Sequence, residues 1–197
     1  MRLLTFTLLL AVCTQSFGQE HRYQNLVDSA IGRHHALFVH SKPLTELKLE
    51  LLESRYYTEF LQDRSIQGLD TVLFLQILRN SKTLDTAIWT DRELPYSLLV
   101  NNRNEYISKS YALKKLGIQD KKKAKYYKKQ INRFNSTETR DKIIYYYSRP
   151  VFDNSKTFAI IQWDNGHSWL GGGGSIVLYH LHGEVWKEVG IIGSWNY

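Results

Sequence analysis

The sequence predicts an α+β domain: helices in the first two-thirds, packed on one face of an antiparallel sheet of about four strands formed by the last third. Two patterns carry this. Residues 143–197 hold short apolar or alternating runs separated by turn residues, which is strand spacing. The earlier chain carries apolar stripes repeating near every fourth residue, which is helix spacing. At 197 residues one domain is expected, long enough to bury a core of its own.

Residues 1–18 stand outside that core. Arg2 gives a positive start, Leu3 to Val12 is too short to span a bilayer, and Ser16-Phe17-Gly18 is a small-x-small cleavage site. The expectation is a secretory signal peptide cut after Gly18. The mature domain is then 19–197, mainly helical over 19–142 and sheet over 143–197. A lipoprotein signal at Cys13 is disfavoured, because bulky Val12 precedes it. Cys13 is the single cysteine, so the mature chain is expected to have no disulfide and no thiolate chemistry. No later run is apolar for the ~20 residues of a membrane helix. A soluble protein, periplasmic or extracellular, follows.

The net charge is +7, or +6 once Arg2 leaves with the signal. The excess is local: from Lys114 to Arg133 there are nine basic residues and one acid, Asp120. Near neutrality is expected elsewhere.

Tyr23–Ile31 reads as a short helix stopped by Gly32. His34, His35 and His40 follow without a period or a carboxylate among them, and are taken as solvated or hydrogen-bonded rather than metal-ligating. Pro43–Gln62 is ambiguous. Leu47, Leu49 and Leu51 alternate like a strand, whereas Leu52, Tyr56 and Phe60 repeat like a helix. Composition tips it toward helix. Gly68-Leu69-Asp70 is a break with a cap, and Thr71–Asn80 a buried helix. Asp91-Arg92-Glu93 opens one turn before Pro95, and Ser97–Val100 is strand-like. Asp120 caps a basic helix with Ala124, Tyr127, Ile131 and Phe134 on its apolar stripe. Asn135-Ser136-Thr137 ends it and is also a glycosylation sequon.

Four strands follow in the tail: Lys142–Phe152, with Pro150 marking it as an edge or bulged strand; Phe158–Trp163, apolar on both faces and so central; Ser175–His182; and Glu184–Ile192. Asp153–Lys156 and His182-Gly183-Glu184 are the tight turns, and Asp164–Gly174 is the long loop.

Ser148-Arg149-Pro150-Val151-Phe152, the apolar strand after it, the glycine-rich loop and Leu181-His182-Gly183-Glu184-Val185-Trp186-Lys187 resemble a group of uncharacterised secreted bacterial proteins. The likeness covers residues 143–197 and implies an extracytoplasmic protein, with no activity attached. The closing Gly-x-x-Trp-Lys strand is also similar to that of cone-shaped, cystatin-like domains of the NTF2 kind.

Three places could carry function. Trp163, Asp164, His167 and Trp169 flank the long loop and could line a small ligand groove. His180 and His182, two apart on a strand, share a face as metal pairs do. Lys121, Lys122, Lys123, Lys125, Lys128 and Lys129 form a surface for an anionic partner, an envelope surface or an acidic polysaccharide. Export argues against nucleic acid. Gly166–Gly171 lacks the glycine and helix of a nucleophile elbow, and Gly171–Gly174 lacks the Gly-Lys-Ser/Thr of a phosphate loop. No cofactor is expected. A non-catalytic binding or structural module is favoured. The alternative is a small hydrolase or metal-dependent enzyme using Asp164, His167, His180, His182 and Glu184, which requires groups at opposite ends of a strand to meet.

Overall fold

The computed structural model of the chain describes residues 20–32, 36–48, 70–166 and 171–197. The signal segment, His34, His35, Leu49–Leu69, His167 and Trp169 lie outside the described residues.

An antiparallel meander forms the centre. Strands β5 (Phe158–Asp164), β6 (Gly173–His182) and β7 (Val185–Asn196) pair in sequence order. The far edge of β5 is filled by two short strands, β3 (Tyr146–Tyr147) and β4 (Val151–Phe152). Ser148, Arg149 and Pro150 interrupt what alternation alone reads as one strand. Phe158–Trp163 is central, as its two-faced apolarity requires.

The period-two rule divides the interior. Phe158, Ile160, Ile176 and Leu178 join one apolar cluster, while Ala159, Ile161, Val177 and Tyr179 join another. Two bulges in β7 fall at Val189 and Ile192, which the register skips. An extra residue at each resets the alternation, so both side chains enter the same cluster despite their odd spacing.

Both faces carry helices, which corrects the expectation of one. The helix over 20–27 runs into a π-turn at Asp28–Gly32, and together they form α1. Its Leu26, Val27, Ala30 and Ile31 pack on the Tyr179 side. Helix α2 (Thr71–Asn80) packs Leu73, Phe74 and Ile77 on the other. Asp70 caps α2 by accepting from the Leu73 amide at 2.8 Å. This helix is amphipathic rather than buried all round: Val72 and Leu75 face outward.

The sheet does not end at β3. Strand β1 (Phe38–His40) bridges to Tyr145 and pairs in parallel with β2 (Leu98–Val100). The first of these was not anticipated, since three residues are too few to show a period. Pro43–Lys48 is extended rather than helical, bonding across to Tyr147 and Gln162; the remainder of that expected helix is not described. Helices α3 (Lys109–Lys115) and α4 (Lys121–Ser136) close a third cluster, placing Ala112, Ile131 and Phe134 on Leu98, Val100 and Ile144. Asp120 caps α4 as expected, accepting from the Lys123 amide. Among the described residues no helix is long and apolar enough to cross a membrane.

Candidate binding site

Asp164, at the end of β5, is fully engaged. Its Oδ2 accepts from the Tyr197 hydroxyl at 2.8 Å and from Trp195 Nε1 at 3.2 Å, and its Oδ1 accepts from the Gly166 amide. Lys48 Nζ donates to Tyr197 at 3.1 Å and sits 4.2 Å from the Trp195 ring centroid. Trp163 packs against the cluster that holds Tyr145, with ring centroids 6.1 Å apart. These residues fasten the chain's last strand to the sheet. Gly173 and Gly174 belong to β6 rather than to a loop. A Cβ on Gly174 would run into the Trp195 ring and the Trp163 carbonyl, so close approach requires glycine there.

His180 and His182 do share a face, with ring centroids 4.3 Å apart. His180 lies flat on Phe158 at 4.1 Å. Burial first, then the charge of His182, holds its pKa below the ordinary value. Phe158 pairs with His180 and Asp164 with Gly174, so Asp164 stands six residues along the strand, about 20 Å away. Glu184 is bound to Arg22 at 3.1 Å. Among the described residues no three histidines or carboxylates gather as a metal site requires.

The basic helix is different. Its six lysines are exposed, and none pairs with a carboxylate among the described residues. The sequon residue Asn135, in the last turn of this helix, is tied to the Ile107 backbone: its amide accepts from the Ile107 N–H and donates to the Ile107 carbonyl, at 3.0 and 2.9 Å.

Beside α4 lies a groove of about 680 Å³, bounded by the end of α1, β1, Tyr96 and the chain from Asp141 to Tyr145. Phe38 and Phe134 stack at 4.1 Å in its wall, and Tyr126 and Tyr127 meet edge-on at 5.4 Å. Lys142, only 6% exposed, extends over Phe134 with Nζ 4.5 Å from the ring centroid. Arg133 lines the same space. The sequence points to the lysines but not to Lys142, which opens an alternating run and shows nothing unusual until its burial is known.

No family model matches the chain, and neither a curated protein nor a solved structure is detectably similar to it.

Proposed function

We propose that this is an exported, non-catalytic module that holds an acidic polysaccharide along the lysine face of α4. The observation that carries the reading is the uncompensated charge: six exposed lysines between positions 121 and 129 with no carboxylate partner among the described residues. A solvated face that served solubility alone would mix both signs. The face here is single-signed, and such a patch concentrates a polyanion by long-range attraction. The expected signal peptide in the first eighteen residues supports an envelope or extracellular setting. Nucleic acid is the competing polyanion and is scarce there.

The hydrolase or metal-enzyme alternative gains no support from the described residues, since Asp164 and the histidine pair occupy opposite ends of β5 and β6.

The test is retention on immobilised polygalacturonate against neutral dextran over a salt series. Retention on the acidic matrix alone, weakening with salt and lost in K121E/K125E/K129E, is the expected result. Equal retention on dextran, or binding indifferent to salt and to the three reversals, would overturn the reading. Stronger retention on anionic vesicles than on the polysaccharide would reassign the partner to a lipid surface.

A further inference from the structure

We propose that the groove beside α4 binds a carboxylate-bearing sugar ring, a hexuronate unit, with Lys142 as its anion anchor. The inference deepens the reading above by naming the unit recognised, and rests on it only for the continuation into a polymer.

Three basic side chains in this protein have stems drawn in from solvent. The Arg149 side chain, 4% exposed, is matched by Glu93. The Lys115 side chain, 8% exposed, meets Asp91 at 2.6 Å and donates to the backbone carbonyls of Leu94 and Ser97. Lys142, a residue 6% exposed, has neither a carboxylate nor a hydrogen-bond acceptor among the described residues. Its close partner among the described residues is the Phe134 ring. The stem is buried, but the ammonium nitrogen is not sealed from solvent: it reaches out into the groove, as a snorkelling lysine does. The fold pairs two of the three and leaves the third lining an open groove, where a ligand carboxylate completes the pair.

The rest of the lining suits a sugar acid. Arg133 adds a second cation without a side-chain partner among the described residues, and the acid of the lining, Asp141, lies 3.8 Å from Arg140 Nε. The groove is therefore net positive. Tyr96 and Tyr126 stand at its rim, 70% and 59% exposed, and offer open ring faces on which the C–H side of a pyranose stacks. Gln130 lines the groove with its side-chain amide unbonded among the described residues, free to meet hydroxyls. The volume of about 680 Å³ falls in the range of small-ligand sites. Tyr126 borders both this groove and the lysine face, so a chain anchored by one ring continues directly onto the lysines.

Calorimetric titration with digalacturonate, its neutral analogue digalactose, and benzoate tests the proposal. Digalacturonate is expected to bind, and the other two to bind at least about tenfold more weakly. K142M should lower affinity about tenfold to a hundredfold, as loss of a charge-assisted hydrogen bond does. Its melting temperature should stay close to that of the native protein, because the ammonium has no carboxylate or hydrogen-bond partner to lose among the described residues, and K142R should restore most of the binding. Tight benzoate binding would overturn the sugar assignment. Unchanged affinity in K142M, or no digalacturonate binding, would overturn the site. A large fall in melting temperature in K142M would make the lysine structural and overturn its role as anchor. If K142M does not fold, Y126A at the exposed rim decides: weakened binding supports the groove and unchanged binding removes it. The two readings separate cleanly. Polymer binding without digalacturonate binding overturns the groove and leaves the lysine face standing. Digalacturonate binding that survives K121E/K125E/K129E, with polymer binding also intact, supports the groove and overturns the lysine face.

Discussion

Arg149 and Glu93, 56 residues apart in sequence, form a bidentate pair inside the protein. The guanidinium also donates to the Tyr23 hydroxyl at 2.6 Å and to the carbonyls of Ala87 and Ile88, and it lies 4.0 Å from the Trp89 ring centroid. One side chain thereby ties α1, the 85–94 connection and the sheet edge together. It also explains the break between β3 and β4, where Arg149 turns out of the ladder.

Removing one partner of this pair leaves a charge stranded. Arg149→Met is expected to cost about 3 kcal/mol or more, and Glu93→Gln a smaller amount, since Glu93 retains some solvent contact. Urea unfolding of the two singles and the double should give a coupling energy of about 1–3 kcal/mol. Additive effects would mean that the pair is incidental.

Stability should form a plateau in pH bounded by named groups. Glu93 has its carboxyl pKa lowered: burial opposes this, but hydrogen bonds from Arg149 and then Thr90 outweigh it. A depressed carboxyl contributes stability above its unfolded value of about 4.5, and that contribution is lost as pH falls through the folded value. His180 is likewise depressed, so its contribution is full above about 6.5 and fades below. Tyr23 is pushed up to about 12, first by burial. Its contribution is full below pH 10 and is lost as pH rises from 10 toward 12. Melting temperatures across pH 3 to 11 should therefore be flat between about 6.5 and 10. Tyr23→Phe should remove part of the alkaline fall, and an unchanged alkaline limb in that variant would contradict the assignment.

Gly174→Ala should be destabilising by about 1–3 kcal/mol through overpacking, because Trp195 and the Trp163 carbonyl occupy the space a methyl needs. Gly32→Ala meets nothing within 4 Å and is the control. Equal urea midpoints for the two variants would refute the close-approach account.

Much of the sheet was legible because alternation is a strong signal over six or more residues: Phe158–Trp163 and Ser175–Leu181 are strands paired with each other. The caps at Asp70 and Asp120 were legible for the same local reason. Elements set by distant partners were not. Strand β1 is three residues long and exists because Tyr145 and Leu98 flank it. The extended course of Pro43–Lys48 is imposed by Tyr147 and Gln162, against its own helical composition. The site follows the same division. The lysines advertise themselves by density, whereas Asp164 looked available only until Trp195 and Tyr197 were seen to bond it, and Lys142 looked ordinary until its buried stem and its place in the groove were seen.

The central claim is that an acidic polysaccharide lies along α4 and enters the groove at its side. Tyrosine-labelled protein titrated with oligogalacturonate tests it by NMR, residue by residue. Resonances of Tyr96, Tyr126 and Tyr127 are expected to shift, with Tyr147 and Tyr197 unmoved. Shifts confined to Tyr197, at the Asp164 clasp, or no shifts at saturating ligand, would contradict it.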